Sequence, residues 1–220
     1  MSSAISTVEQ AEQRFVFRDL SWSQYESILA ALGNRRLRHT YVRGTLEIMS
    51  PSRHHAWVRS LLAAMVGVLC RELSLPRLSV GSTSFQDANW DHGFEADEGF
   101  YVGRESVVRG REWDRFDADR NSPPDLFIEV DIASSSDQRL DIYRRMRVAE
   151  VWRYRHERVR IYVLDESGKF DESDRSRLFP FLTSAALSDV LASRHESDDT
   201  QIERDFERWV REHLAGDRLD

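Results

Sequence analysis

The chain has 220 residues, a formal net charge of −7 and a hydrophobic content of 40%. These values fit one globular domain of moderate size, and the negative charge argues against a general nucleic-acid binder, because such domains are usually basic. No apolar run approaches the length of a membrane span and the first residues lack a signal pattern, so we expect a cytoplasmic protein without a membrane partner.

The N-terminal third is predicted to combine a tail, two helices and a hairpin. Residues 1–13 are polar and small, which predicts a flexible tail. A capping box that begins at Ser21 opens a helix that ends at Gly33. Alternating residues predict a β-hairpin over 38–50. A longer helix over 53–73 has apolar residues on more than one face, so we expect it to be largely buried.

Three strands and a helix are predicted in the middle of the chain. The strands cover 78–85, 94–102 and 126–132, and a charged loop over 103–122 separates the last two. The run 126–132 is apolar and β-branched, which is typical of a central strand covered on both faces. A helix over 136–147 follows, and the serines 134–136 are expected to cap it.

The C-terminal part is predicted to begin with strands over 150–154 and 159–164. A further strand over 178–182 and a short helix over 187–191 follow. A capping box at Thr200 opens an amphipathic terminal helix. Because a crossover helix links strands that follow a meander, this order predicts an α/β fold around a mixed sheet.

Two residue types occur once each. Cys70 lies in a helical apolar pattern, which favours a buried structural thiol over a nucleophile. Lys169 is the single lysine, so a mechanism that needs a lysine must use it or an arginine in its place. Those two side chains are not chemically equivalent.

The central strand carries two acids within its apolar run. Glu129 and Asp131 are two positions apart, so their side chains share a face and their Cα atoms lie about 6.6 Å apart. At an effective dielectric constant near 20, two such anions repel by roughly 2.5 kcal/mol. We therefore expect a compensating group, which is a metal cation, a basic side chain or a proton held by a raised pKa.

A third acid lies on the preceding predicted strand. Asp97 faces Glu129 if the strands over 94–102 and 126–132 are neighbours in the sheet. One acid on each strand, with a basic group nearby, is what a divalent-cation site for phosphate-ester cleavage requires. The alternative is that Asp97 and Glu129 are strand-edge acids paired with arginines.

Several short motifs occur in the order and spacing of a known family. They are Gly44–Pro51, His55, Glu95–Glu98, Pro123–Leu126, Glu129–Val130 and Val148–Trp152. Over residues 15–165 they resemble the Uma family of restriction-endonuclease-like proteins, in the PD-(D/E)XK nuclease superfamily. The resemblance implies a restriction-endonuclease-like mixed β-sheet core flanked by helices, with an N-terminal hairpin and a C-terminal helix. The chain then divides into the tail 1–13, the endonuclease-like domain 14–185 and a helical extension 186–220.

The resemblance also assigns site residues. Asp97 and Glu129 correspond to the two metal-binding acids, and the carbonyl of Val130 is a further ligand of Mg²⁺ or Mn²⁺. The superfamily lysine stands two residues after the glutamate, where this chain has Asp131, but in this family the basic residue is carried on the following helix, as Arg139. Arginine keeps the charge but cannot accept a proton at neutral pH. Asp131 is either an outer acid of the site or a partner that weakens Arg139.

Other residues have two interpretations each. Glu47 contributes to the site or faces solvent, and His55 takes part in chemistry or caps its helix. Tyr143 and Trp152 fall on apolar periodic positions, which favours core packing over base stacking. Eight arginines against three acids over 139–160 form either a basic stripe for a polyanion or a solvated helix face.

The leading hypothesis is an Mg²⁺-dependent endonuclease that cleaves DNA phosphodiester bonds by water attack. Asp97 and Glu129 would hold the metal, and Arg139 would stabilise charge or position water. The alternative is a catalytically inactive nuclease-fold protein that acts as a nucleic-acid-binding or assembly module, and a hydrolase acting on another phosphate ester also stays open. The family likeness further implies a homodimer, because a duplex-cutting enzyme benefits from two symmetric sites.

Overall fold

The fold contains two β-sheets flanked by helices. The computed structural model describes residues 12–33, 35, 37–81, 83–110, 122–132 and 137–216. The helices are α1 (Trp22–Leu32), α2 (Arg53–Glu72), α3 (Asp137–Met146), α4 (Ser184–Ala192) and α5 (Asp199–Gly216). The strands are β1 (Gln13–Phe17), β2 (Arg38–Val42), β3 (Thr45–Ser50), β4 (Arg77–Ser79), β5 (Ser84–Asp87), β6 (His92–Glu95), β7 (Glu98–Val102), β8 (Leu126–Asp131), β9 (Glu150–Arg155), β10 (Arg158–Leu164) and β11 (Phe170–Ser173).

The two sheets differ in the direction of their strands. One has the order β1-β3-β2-β6-β5, and its neighbours are all antiparallel. The other has the order β11-β10-β9-β8-β7-β4, and its β8–β9 pair is parallel. Helix α3 makes the crossover that a parallel pair requires. The predicted α/β class with a mixed sheet flanked by helices is therefore confirmed.

The main core lies between α2, the mixed sheet and α5. Leu62, Val66 and Leu69 of α2 are fully buried, as expected for a helix that is apolar on more than one face. Ile202, Phe206 and Val210 of α5 are buried in the same cluster. Burying one such side chain is worth about 1.5–3 kcal/mol. The terminal helix therefore closes the main core.

A second core lies on the opposite face of the mixed sheet, under α3. Phe127 of β8 and Val151 of β9 pack there against Ile142 and Tyr143 of α3. Strand β8 is consequently covered on both faces, as its apolar run predicts, and every one of its residues is buried. A polar side chain on this strand must find its partners within the protein.

Two N-terminal predictions are confirmed in detail. Ser21 caps α1 in a complete capping box, and Gly33 is its C-cap. Strands β2 and β3 form the predicted hairpin, whose turn residues have φ of 44° at Arg43 and 83° at Gly44. Two successive positive φ values are those of the turn that suits the twist of a tight hairpin.

The predicted strand over 94–102 is wrong in one respect, because it divides between the two sheets. Strand β6 belongs to the antiparallel sheet and β7 to the mixed sheet, with a bend at Ala96 and Asp97. At the bend, the amide of Val130 donates to Asp97 Oδ2 at 2.8 Å. The Asp97 carboxylate thus accepts a hydrogen bond from a backbone N–H of β8 that lies beyond the residues of β8 paired with β7.

The strand predicted over 78–85 divides in the same way. Strand β4 pairs with β7 in the mixed sheet, whereas β5 pairs with β6 in the other sheet. Gly81 lies between them with φ of 55°, a conformation that glycine adopts without steric cost. The alternation of side chains does not reveal such a change of sheet.

Other differences occur near the termini. The segment 178–182 was predicted as a strand but forms turns, because backbone N–H groups there bond to a buried carboxylate and a serine. Strand β11 was not predicted, and Gln13 begins β1 although the predicted tail includes it. The rest of that tail through residue 11, the loop part 111–121 and the caps at 134–136 lie outside the described residues.

No helix in the described part of the chain combines the length and the apolar character that crossing a membrane demands.

Candidate active site

Asp97 lies beside β8 at the junction of the two sheets. Strands β7 and β8 are antiparallel neighbours with Glu98 opposite Ile128, which confirms that the two acid-bearing segments are adjacent. Asp97 is fully buried, and its Oδ1 contacts His55 Nε2 at 2.9 Å and Arg38 Nε at 3.5 Å. Its position is therefore fixed by both of its oxygens, since Oδ2 accepts the Val130 amide.

Glu129 is fully buried on β8 and has fewer donors. Tyr143 Oη donates to Glu129 Oε1, and Arg139 Nη2 lies 2.6 Å from Oε2 in an ion pair. Glu129 Oε2 has no hydrogen-bond donor of suitable geometry among the described residues. Burial, with the charges of Asp97 and Asp131, raises the pKa of Glu129 to about 8 against the lowering effects of Arg139 and Tyr143.

Asp131 completes what we call the carboxylate cluster, which consists of Asp97, Glu129 and Asp131. Arg139 Nη2 is 3.9 Å from Asp131 Oδ1, and Arg153 Nε donates to Asp131 Oδ2 at 2.6 Å. The repulsion predicted between the acids of β8 is thus offset by two basic side chains and by the raised pKa of Glu129. Asp131 shares Arg139 with Glu129, but its closer partner is Arg153.

Arg139 reaches the cluster from the first turn of α3, which places it over the face of β8 that carries Glu129. It is buried, and although burial acts to lower its pKa, Glu129 and Asp97 raise it. The guanidinium therefore stays protonated and is held by charge rather than by solvent. The sequence prediction that a basic residue of α3 lies near the two acids agrees with this geometry.

His55 bridges two carboxylates. Its Nδ1 lies 2.8 Å from Glu12 Oε1 and its Nε2 contacts Asp97. Burial lowers the pKa of His55, but the hydrogen bonds and charges of Asp97 and Glu12 raise it to about 9. Burial likewise raises the pKa of Asp97, yet His55, Arg139 and the Val130 amide lower it to about 2. His55 and Asp97 therefore form a charged pair at neutral pH.

His55 does not cap its helix: the N-cap is Ser52, whose Oγ accepts from the His55 amide, and a chemical role for His55 stays a prediction. Tyr143 has two roles, because its ring stacks on Phe127 at 4.4 Å between centroids while its hydroxyl reaches Glu129. Sequence reasoning assigned Tyr143 to the core and gave no role to Glu12, which falls in the predicted tail. Apolar periodicity predicts that the Tyr143 ring is buried, but it does not predict the hydrogen-bond partner of the Tyr143 hydroxyl.

The remaining candidates lie farther out. Glu47 pairs with Arg14 at 2.5 Å and lines a small cavity that Arg139 also lines. Trp152 is buried in the main core, as predicted. The arginines over 139–160 do not form one stripe, because Arg139 and Arg153 turn inward to the carboxylate cluster.

The comparison with known families gives a family model that matches residues 22–195, described as Uma2, "Putative restriction endonuclease". The chain belongs to this family. A crystal structure of a "putative nuclease belonging to DUF820" from Anabaena variabilis ATCC 29413 is similar, with a TM-score of 0.53 and 13% identity over 78% of this chain and 99% of that chain. This likeness concerns the fold. No curated protein matches the chain.

A restriction-endonuclease family implies a divalent metal, so the Uma2 site can be tested for its fit to one. Mg²⁺ prefers oxygen ligands and is usually held by one or two carboxylates together with water. Asp97, Glu129 and the carbonyl of Val130 are of that type, and Glu129 Oε2 is a buried oxygen without a hydrogen-bond donor among the described residues. Within those residues no three His, Cys, Asp or Glu side chains are arranged as metal ligands. The donors are thus of the chemical type that holds a cation through two carboxylates, and Asp97, Glu129 and the Val130 carbonyl are the groups that would hold one.

Proposed function

We propose that this Uma2 protein is a metal-dependent endonuclease that hydrolyses DNA phosphodiester bonds. The observation that carries the proposal is that Asp97, at the bend before β7, lies beside Glu129 of the adjacent strand β8, with Arg139 at 2.6 Å from Glu129. Burying three acids and two arginines at one place is costly in free energy, so fold stability alone does not explain the cluster. Membership of a restriction-endonuclease family supports the same conclusion.

In this proposal each residue has a role that its contacts support. Asp97, Glu129 and the carbonyl of Val130 would hold Mg²⁺ or Mn²⁺, which supplies positive charge for the phosphate and lowers the pKa of water. His55 keeps Asp97 ionised and in place. Glu129, whose pKa is about 8 without a cation, must release its proton to act as a ligand.

In this proposal Arg139 of α3 supplies the charge of the superfamily lysine, whose own position holds Asp131, but not all of its chemistry. A guanidinium stays protonated, so it binds and orients the anionic phosphate or positions a water molecule rather than accepting a proton. Its burial beside Glu129 places that charge where negative charge grows on the phosphate during cleavage.

Plasmid nicking in Mg²⁺ or Mn²⁺ tests the proposal. We expect wild type to nick supercoiled DNA and Asp97→Asn to lose that activity. Calorimetry should show Mn²⁺ binding to wild type and none to Asp97→Asn. Asp141→Asn is the matched control, because Asp141 lies on α3 with a side chain 77% exposed. Nicking by Asp97→Asn at the wild-type rate would contradict the proposal.

A second candidate is a catalytically inactive nucleic-acid-binding or assembly module. The observation that favours it is that the acids already pair with His55, Arg139 and Arg153 and that arginine replaces the lysine. Salt-dependent DNA binding by a protein that neither binds Mn²⁺ nor nicks DNA would select this candidate.

We further propose a homodimer and a cytoplasmic location. Strand β1 lies at the edge of its sheet, and it presents three consecutive exposed apolar side chains, Phe15, Val16 and Phe17. An edge strand of this kind pairs readily with another strand. Light scattering should give a dimeric mass for wild type and a monomeric mass for Phe15→Ser/Phe17→Ser. A monomeric wild type would contradict the dimer.

A further inference from the structure

A cleft with basic walls lies next to the residues that hold Asp97 of the carboxylate cluster. It has a volume of about 890 Å³ and lies beside the C-terminal end of α1, strand β2 and the first turns of α2. Glu95 is the one acid among the described residues that line it. Its four arginines are Arg35, Arg38, Arg53 and Arg59. We call it the basic cleft, and its charge contrasts with the net charge of −7 of the whole chain.

The inner end of the basic cleft is separated from a proposed metal ligand, Asp97, by the side chains of Arg38 and His55. Arg38 and His55 both line the cleft, and both contact Asp97 Oδ1, at 3.5 Å and 2.9 Å. A ligand that filled the cleft would therefore lie one side chain away from Asp97. The cleft is thus the side from which a ligand in solvent comes nearest to Asp97, with Arg38 and His55 between them.

The outer wall carries positive charge that the described acids do not fully neutralise. Arg38 pairs with Glu95 and Arg59 with Glu98, but Arg35 and Arg53 are exposed and have no ion pair with a described acid. Guanidinium groups bind phosphate in a bidentate manner, which makes arginine suitable for a phosphodiester chain.

The spacing of the arginines suits a polymer better than a single anion. Arg53 and Arg59 are six residues apart on α2, so their Cα atoms are separated by about 9 Å along the helix axis. That distance is roughly the axial rise of two to three nucleotides in one strand. Arg35 adds a third cation from the segment that follows α1.

We propose that the basic cleft binds the phosphodiester backbone of the nucleic-acid substrate and delivers one of its phosphates to Asp97 and Glu129. The inference rests on the proposed nuclease function and adds the path of the substrate. Affinity for the backbone would come from Arg35 and Arg53, while Arg38 would stand at the boundary between the cleft and the metal site.

Binding without cleavage tests the cleft separately from the reaction. Fluorescence anisotropy in a chelator would follow a short labelled duplex DNA over a range of salt concentrations, with single-stranded DNA and RNA of the same sequence as parallel probes. For Arg35→Ala/Arg53→Ala we expect binding weaker by at least about tenfold and a salt slope smaller by about 2. Arg158→Ala/Arg177→Ala, which removes two exposed arginines from β10 and the turn after β11, should bind as wild type does.

The outcomes separate the two proposals. An unchanged salt slope in Arg35→Ala/Arg53→Ala, an equal loss in the control variant, or a wild type that binds none of the probes would overturn the assignment of the cleft. A salt slope that decreases in Arg35→Ala/Arg53→Ala, in a protein that fails to nick plasmid, would support backbone binding by the basic cleft and reject the proposed cleavage of DNA. If RNA binds more tightly than either DNA and loses more affinity in Arg35→Ala/Arg53→Ala, the backbone assignment stands and the DNA substrate is replaced by RNA.

Discussion

Two buried glutamates on adjacent strands of the mixed sheet have opposite surroundings. Glu150 on β9 accepts bonds from Trp152 Nε1 at 2.5 Å and Ser176 Oγ at 2.7 Å on one oxygen. Its other oxygen accepts from the amides of Arg177 at 2.6 Å and Leu178 at 3.2 Å. Glu129 on β8 receives one hydrogen bond, from Tyr143, and an ion pair from Arg139.

The difference distinguishes a carboxylate that stabilises the fold from one that is kept available. Neutral donors hold Glu150 and shape the turn over 174–183, so its charge serves structure. Glu129 lies among other acids, its Oε2 has an ion pair with Arg139 but no hydrogen-bond donor among the described residues, and its pKa rises to about 8. Such an arrangement costs stability without a cation and is useful where one binds. Exchanging each acid for its amide should therefore have opposite consequences.

The largest effect is expected for Glu129→Gln on cleavage. Loss of one negative ligand should lower the nicking rate by roughly 10³-fold. The free energy of unfolding in a chelator at pH 7 should rise by up to about 3 kcal/mol, because the folded protein holds on Glu129, with a pKa of about 8, a proton that the unfolded chain has released above its ordinary pKa of 4.5, and glutamine removes that cost. Nicking kinetics and urea unfolding measure the two quantities. A nicking rate close to that of wild type would remove Glu129 from the mechanism.

Glu150→Gln should show the converse. The amide NH₂ of glutamine would face two donors that now bond to a carboxylate oxygen, so we expect a loss of about 3 kcal/mol in the free energy of unfolding. Cleavage per folded molecule, measured below the melting range, should be within about twofold of wild type since Glu150 bonds to the turn and not to the carboxylate cluster. A variant as stable as wild type would show that Glu150 is not needed for structure.

The regular elements that build the site could be predicted because each has a local signal. The capping box of α1, the hairpin of β2 and β3, the buried strand β8 and the helix α3 follow from caps, turn residues and periodicity. The proximity of Asp97 to Glu129 was predicted from the order of strands, and that of Arg139 from family likeness. What could not be predicted was the change of sheet at Asp97.

The hydrogen-bonding partners of the buried acids and of His55 could not be predicted from the sequence either. Glu12 lies 43 residues from His55 in the chain yet 2.8 Å from its ring, and no local pattern reports such a contact. The four donors to Glu150 come from Trp152 of β9 and from Ser176, Arg177 and Leu178, of which only Leu178 falls in the segment 178–182 that was predicted as a strand. Contacts of this kind depend on how distant segments pack, which periodicity does not encode.

The comparison also includes a buried base, His39, whose lowered pKa should make the fold less stable at acidic pH. Burial, with Arg38 and Arg139, lowers the pKa of His39 to about 4, although Glu95 Oε2 lies 3.7 Å away and Ser84 Oγ 3.5 Å away. In the unfolded chain the histidine gains its proton near pH 6.5, so stability is lost as pH falls from there toward 4. Between pH 7 and pH 5 this loss should be about 2 kcal/mol.

Urea unfolding of wild type and His39→Gln at several pH values isolates that contribution. The glutamine variant should lose less stability on acidification by the same amount, whereas His156→Gln, in the exposed turn between β9 and β10, should lose as much as wild type. Parallel curves for wild type and His39→Gln would show that His39 is protonated in the folded protein.

The smallest effect is expected for Arg139→Lys. If Arg139 acts only through its charge, lysine should serve nearly as well, and the nicking rate should change by less than about tenfold. Arg139→Met, which removes the cation beside Glu129 and Asp131, should lose far more of the rate. A large loss of nicking rate in Arg139→Lys would instead show that the planar guanidinium is needed to bridge two acids or to bind a phosphate. A gain would indicate that a side chain able to release its proton restores a step that arginine cannot perform.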